Sequence, residues 1–539
     1  MGETLKKLNL KMKKLLLIII LLINSIILPA QDYYYNIYND TTWNSDTIYI
    51  NDNVTIYENA TLSISPGTTI KFNGQYYIKV LGKLMAIGQL NDSILFTIND
   101  TTHLNDTSTI LGGWKGIRLL DNINDTSVFD YCILEYGKAV KPGVQWWYTY
   151  NPANYGGAMY IDGYNCVRIS NSKFRNNFAR DKGGAIYADT MSYFTVNNSE
   201  FNLNIAKRYG GAIYSGNIDR VIISDNLFHW NECFMIRPGD ALMSGVGGGI
   251  YLSNPLGNSI AKIINNKLFN NKSVSGIIYD AYPHSYVYNN ILCNNYAITY
   301  FCGSPFSHSI FSNNIVANNL AFMGTAGIES ASDYLLITNS IVWNNQVEIP
   351  GSSYGQIYGA LNYEPIVLYN CVMDGYEGEG NIDSLPMFVN PTEGAGLAYN
   401  GVDADWSLLV ESPCVNTGTP DTSGLFLPDY DIEGNPRICG FRIDMGAYEN
   451  QVFALTKPVL QENIFTSVYP NPGQNNLFVK TGLKNSTFEL IDFTGKILLK
   501  KFISAYSTEV NVSHLSKGIY FYRIYDNKNI YETGKWVKQ

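Results

Sequence analysis

Charged side chains occupy matching places in a repeated pattern, and their types would suit polysaccharide chemistry. Six residues past the central Phe of two successive repeats lie Arg180 and Lys207; Asp181 and Arg208 follow them, with Lys182 alongside. Two residues past a repeated Tyr lie Asp162 and Asp189. A basic residue near a cation that neutralises a carboxylate would suit proton abstraction beside a uronate. Two carboxylates about 5–10 Å apart would suit glycoside hydrolysis. Adjacent strands of a stacked fold lie about 4.8 Å apart, which would put Asp162 and Asp189 near the lower end of that range. The same like-charged pair could be relieved by calcium. Against these readings, charges at loop positions are usually solvated or form weak ion pairs. His229 and His284 stand without a partner pattern, and the chain holds no His-Glu-x-x-His and no phosphate-binding Gly loop.

Aromatic residues support a second kind of chemistry. Trp146, Trp147, Tyr148 and Tyr150 fall in an expected loop, with Tyr155 and the repeated Tyr160, Tyr187, Tyr214 and Tyr251 nearby. Rings in a row would stack on sugar faces and bind a glycan without catalysis; packed inward, they would instead fill core and corners.

The elements that must position these residues are repeats. Asn-x-x-(apolar)-x-x-Asn recurs as Asn171/Phe174/Asn177, Asn198/Phe201/Asn204, Asp225/Phe228/Asn231, Asn265/Leu268/Asn271, Asn289/Leu292/Asn295, Asn313/Val316/Asn319 and Asn339/Val342/Asn345. Its centres are 27, 27, 40, 24, 24 and 26 residues apart. A Gly-Gly-x-x-Tyr motif keeps step at 156–160, 183–187, 210–214 and 247–251. A period in the twenties predicts a solenoid whose units bury their apolar faces only by stacking. Leucine-rich repeats need a Leu frame these copies lack, and propeller blades need about 40 or more residues each. The long step places an inserted loop near 232–246. Gly and Asn suit left-handed corners, Asn at one corner of successive coils can form an amide ladder, and the Phe column points inward. Segments 61–65, 69–72, 78–80 and 83–86 read as earlier coils, and no useful helical period appears.

Composition agrees. The 539 residues are 46% apolar and only 15% charged, with 47 Gly and 41 Tyr, which suits strands and turns. The net charge of −9 divides into +4 over residues 1–30, +5 over 465–539 and −18 between them. An acidic body without a basic stripe excludes a nucleic-acid surface, and it repels polyanions unless a local basic patch or bound cation intervenes. Lys11, Lys13 and Lys14 precede an apolar run over 15–28 and then Pro29-Ala30, which reads as an export signal whose true start is Met1 or Met12. The run is shorter than the about 20 residues of a membrane span, so the mature chain is expected to have none. Export permits disulfides among the eight Cys, with Cys293–Cys302 or Cys414–Cys439 as local pairs, unless these thiols are small core residues.

These features resemble the right-handed parallel β-helix of the pectate-lyase-like superfamily over roughly residues 45–380. The resemblance implies fold and leaves activity open, since its members include lyases, hydrolases and adhesins. The stretches Ser412-Pro413-Cys414, Asp429 to Arg437 and Asp444-Met445-Gly446-Ala447-Tyr448-Glu449 resemble the closing, choice-of-anchor-type segment of bacterial surface β-helix proteins. That segment would cap the last coil, and its Asp421, Asp429, Asp431, Asp444 and Glu449 make calcium a candidate ligand. The run Tyr469-Pro470-Asn471-Pro472, then Gly518 and Tyr520, then Gly534-Lys535-Trp536-Val537-Lys538 resembles the type A C-terminal sorting domain of the type IX secretion system of Bacteroidetes. It implies a small antiparallel β-sandwich that engages the secretion machinery and is commonly cleaved, leaving the cargo released or surface-attached.

The expected organisation is therefore all-β. A signal peptide covers 1–30, N-terminal coils and cap 31–137, β-helix repeats 138–380, a closing segment 381–449, a linker 450–464 and the sorting domain 465–539. The expected protein is secreted or held at the outer-membrane exterior, binding an extracellular or surface polysaccharide without catalysis. The alternative is a polysaccharide lyase or glycoside hydrolase.

Overall fold

The computed structural model describes residues 36–143, 151–236, 243–254, 258–298, 300–303, 307–332, 334–360, 363–440, 442–451, 466–481, 486–505, 507–525 and 530–539. From Asn36 to Val372 the chain winds as a parallel β-helix. A 12-stranded parallel sheet running from Thr47–Ile50 to Cys371–Val372 forms one side. A 20-stranded sheet forms two more, because its central strands Ile117–Asp130, Met159–Ser170, Ile186–Asn197 and Ile213–Ser224 each bend midway. Short pairs such as Phe178–Ala179 on Ile205–Ala206 make a fourth edge. Below, the first side is the one carrying Met159 to Asp162, and the third is the 12-stranded sheet.

Every predicted motif centre stands in register with the next: Phe174 on Phe201, Phe201 on Phe228, Phe228 on Leu268, Leu268 on Leu292, Leu292 on Val316 and Val316 on Val342. The Phe rings point inward and stack at 4.9 and 4.7 Å. The two Asn of each motif do different work. The first takes the left-handed corner, with φ of 48° at Asn171, 47° at Asn198 and 54° at Asn289. The second is buried and forms the ladder. Asn177 donates to Asn204 at 2.9 Å, Asn204 to Asn231 at 2.9 Å, Asn231 to Asn271 at 2.9 Å, Asn271 to Asn295 at 3.1 Å, Asn295 to Asn319 at 3.0 Å, and Asn319 to Asn345 at 2.8 Å. Gln356 accepts the last bond at 2.8 Å. Each amide also bonds backbone, as Asn204 does to the Phe174 carbonyl at 2.8 Å, so no rung leaves a buried donor idle. A second ladder lies at Asn226, Asn266, Asn290 and Asn314, which bond in turn at 2.9, 3.0 and 2.9 Å.

The paired glycines have separate reasons. Gly183 needs its φ of +64°, whereas a Cβ on Gly184 would collide with the Gly211 carbonyl of the next coil.

The closing segment begins on the last coil, at Asn381 and Ile382, and then runs along the side of the solenoid. The last coil is finished by the turn at 376–382, where Asn370 accepts from Ile382 and Val372 donates to it at 2.8 and 2.9 Å. Residues beyond it run back along the outside of the third side. Corner amides hold them there: Asn270 donates to Tyr399 at 2.7 Å, Asn294 to Gly394 at 2.9 Å, Asn318 to Thr392 at 3.0 Å, and Asn313 to Asp444 at 2.9 Å. A second apolar core forms between, with Ile291, Ile315, Ile341 and Cys371 against Trp406, Leu408, Met445 and Ala447. Of the five candidate calcium carboxylates, Asp421 and Asp429 are not buried. Asp431, Asp444 and Glu449 are buried. Glu449 pairs with Arg437 at 2.8 Å, and Asp444 accepts the Asn416 and Asn450 amides, each at 2.6 Å. Among the described residues no group of three or more His, Cys, Asp or Glu is arranged to hold a metal.

All eight cysteines are free, so neither expected local pair is bonded. Cys302 lies in the core inside the coils and Cys293 in the second core outside them, which separates those two thiols.

The strands from Thr466–Tyr469 to Ile530–Lys538 form a four-stranded and a three-stranded antiparallel sheet around Leu477, Val479, Phe488, Leu490, Val510, Ile524 and Trp536.

Candidate functional site

The richest surface is the outward side of the first face. There the register runs Lys79, Arg118, Tyr160, Tyr187, Tyr214, Tyr251, Tyr279, Phe301, Glu329 and Tyr358, one residue per coil. The rings from Tyr160 to Phe301 follow at 5.1, 4.9, 5.1, 4.7 and 5.3 Å. Their upper part is covered. Tyr160, Tyr187 and Tyr214 are 3%, 1% and 8% exposed although they point away from the core. Arg118 lies 4.3 Å over Tyr160. The Lys182 ammonium lies among four rings, 5.3 Å from Tyr155, 5.9 Å from Tyr187, 5.8 Å from Tyr209 and 4.5 Å from Tyr214. Burial lowers the Lys182 pKa, with Asp181 opposing. Tyr251, Tyr279 and Phe301 remain partly exposed.

The candidate acids and bases divide between two places. Asp162 and Asp189 are register partners on the first face. Each accepts from its own tyrosine, Tyr160 to Asp162 at 2.9 Å and Tyr187 to Asp189 at 2.7 Å, and Asn217 adds a bond to Asp189 at 2.9 Å. Arg180 and Lys207 stand at the fourth edge, where Arg180 donates to the Lys141 carbonyl and Lys207 lies 5.8 Å from the Phe178 ring. Next to them Asp181, buried, takes a bidentate grip from Arg208 at 2.7 and 3.0 Å. Desolvation raises the Asp181 pKa against that pull. Tyr155 is buried and stacks on Tyr187 at 4.9 Å, whereas Trp146, Trp147, Tyr148 and Tyr150 lie outside the described residues. His229, expected to stand alone, contacts Glu200 at 2.9 Å. Mainly through that bond, Glu200 is held down to about 2.

Two depressions flank the tyrosine column, and neither was read from the sequence. One, about 250 Å³, opens at the bend of the long strands between Ile123, Tyr164, Asn165, Thr190, Met191, Ser192, Asn217 and Asp219. The bend is made by left-handed residues in register, Asp121, Gly163, Thr190 and Asn217, with φ of 51°, 65°, 53° and 47°. Their chemical diversity hides the corner that repeated Asn advertises elsewhere. The other depression, about 240 Å³, lies at the cationic end between Tyr77, Lys115, Arg118, Lys138 and Val140. Lys138 donates to the His103 and Leu111 carbonyls at 2.6 Å each, and burial pushes its pKa down to about 8. Among the described residues neither Lys79 nor Lys115 has a carboxylate partner. The sequence signal was available: Lys79, Lys115 and Arg118 are spaced to meet on adjacent coils of an otherwise acidic body.

In the terminal domain the residues of the expected sorting signal converge. Gly518, Tyr520 and Tyr522 pair with Lys538, Trp536 and Gly534. Both X–Pro bonds of the Tyr469-Pro470-Asn471-Pro472 run are cis. Trp536 donates to the Pro470 carbonyl at 2.8 Å, and Lys538 to the Val512 carbonyl at 2.6 Å. Among the described residues no helix is long and apolar enough to cross a membrane.

No curated protein matches the chain. Residues 467–539 match the family model of the secretion system C-terminal sorting domain. The protein therefore carries a type IX sorting domain at its C-terminus and is secreted or displayed at the cell surface.

Proposed function

We propose that this exported β-helix binds an extracellular or surface glycan without turning it over, along the outward side of its first face. The observation that carries the reading is the pair of small depressions flanking one tyrosine column. Each is below the roughly 300–1,000 Å³ of a drug-sized ligand site, so each suits one ring or substituent of a longer chain. The bend depression offers hydroxyls and amides from Asn165, Thr190, Ser192 and Asn217 beside apolar Ile123 and Met191, a mixture that fits the polar rim and apolar face of a sugar. Asp219 is the one carboxylate on that wall, whereas a hydrolase needs two flanking the bond. The cationic end favours saccharides bearing carboxylate or sulfate, despite the acidic body.

The test is incubation of the full mature chain with neutral and acidic polysaccharides, scoring retention and products together. Retention of an acidic glycan without turnover, weakened by Lys115→Gln and by salt, is expected. Unsaturated or new reducing-end products would replace the reading with that of a lyase or hydrolase.

A further inference from the structure

Two of the buried thiols meet across the second core. Cys371 lies on the last strand of the third side, next to Ile341 in the register that pairs those strands. Cys414 belongs to the closing segment, where the neighbouring Cys371 thiol and burial push its pKa up; the Cys371 thiol itself donates to the Ser384 carbonyl at 3.0 Å. Independent contacts fix the approach. Met445 donates to the Cys414 carbonyl at 2.9 Å and Gly446 to the Asn339 carbonyl at 2.7 Å. Thr419 donates to the Asn339 side chain at 2.6 Å. Both cysteines are 0% exposed and share one apolar cluster with Ile341, Trp406 and Met445. The contact joins parts of the chain with different roles, a coil and the segment packed over it.

An exported chain folds where disulfides form and persist. We propose that Cys371 and Cys414 are a disulfide site, and that the bond clasps the closing segment to the final coil. In the step, one cysteine thiolate attacks a disulfide-bearing oxidant, either a thiol–disulfide oxidoreductase or a low-molecular-weight disulfide, to give a mixed disulfide. The second thiolate then displaces the oxidant's sulfur. Two protein S–H bonds and the oxidant's S–S bond are lost and one protein S–S bond forms; the two protons and two electrons end on the oxidant's two sulfurs as reduced thiols. Burial in apolar surroundings puts both thiols out of reach once the segment has packed. The bond must therefore form during folding, before the closing segment settles.

The test uses the full-length protein refolded in a glutathione redox buffer, denatured without reductant, alkylated and digested. The expected result is a peptide joining Cys371 to Cys414, with the other six of the eight cysteines alkylated. In Cys414→Ser, Cys371 should become alkylated and no new crosslink should appear. Protein first folded with reductant and then exposed to oxidant should keep both thiols. Alkylation of Cys371 and Cys414 in the redox-refolded wild type, or a bond from either to another cysteine, would overturn the proposal. As a check on function, reductant should lower the melting temperature of the oxidised wild type and leave Cys371→Ser unchanged.

Discussion

Asn471 ties the start of the sorting domain to its last strand, because its side chain accepts from the Val537 amide at 3.0 Å and donates to the Lys535 carbonyl at 2.6 Å. Trp536, fully buried between them, donates to Pro470. The motif residues at 469–472 and 534–538 are thus one structural unit rather than two separate signals. Trp536→Ala should cost about 3–5 kcal/mol and unfold this small domain, while Asn471→Ala should cost about 1–2 kcal/mol. Comparing export with thermal stability of the two variants checks this. Loss of export in Asn471→Ala with an intact fold would mean that the side chain is read directly.

The buried ladder sets a second expectation. Asn231→Leu removes a donor and an acceptor together, stranding groups on Asn204 and Asn271. The penalty should be about 3 kcal/mol, seen in denaturant unfolding. The corner Asn198, exposed and at φ 47°, should tolerate Gly with a change of a few tenths. Equal costs for the two substitutions would contradict the division of labour between them.

A third expectation concerns pH. Burial first, and then the Glu449 charge, push the Asp444 carboxyl up to about 7. Below about pH 4 the group is neutral in the folded and unfolded chain alike, so its contribution is fully present there. It is lost as pH rises from that value through about 7, at up to about 1.4 kcal/mol per pH unit. The stability of wild type minus that of Asp444→Asn should therefore fall between pH 5 and pH 8. A difference that is flat or grows with pH would show that the two amides donated to Asp444 dominate its burial.

Tyr187→Phe tests the first face. It deletes the hydroxyl that orients Asp189 and leaves the stacked ring in place. Stability should change by about 1 kcal/mol or less, and glycan retention should weaken about tenfold. Unchanged retention would move the contact surface away from Asp189.

How much of this was legible follows from which positions repeat. Phe174, Phe201 and Phe228 share a residue type and an interval, so their register could be read directly. The ladder was readable for the same reason, since amides stack best on amides. The path of the closing segment was not read, although the sequence held a sign. Outward positions of the third side change from Lys173, Glu200, Leu227 and Lys267 to Ile291, Ile315 and Ile341, the rows that the segment covers. A strand apolar on both faces must be covered on both. The covering of Tyr187 had no such sign, because Lys182 is a single residue whose side chain reaches across coils. Type and interval specify the spine, while contacts made once leave no period to find.

The Asn177-to-Asn345 ladder also bears on how a chain of this kind acquires its size. Each rung presents the same donor to one neighbour and the same acceptor to the other. A whole coil duplicated or excised in frame would meet matching partners at both seams. Length is then a counting variable, adjustable in steps of one rung without redesigning a junction. The irregular stretches, from the bend at Thr190 to the cover at Lys182, are where such a change would be felt.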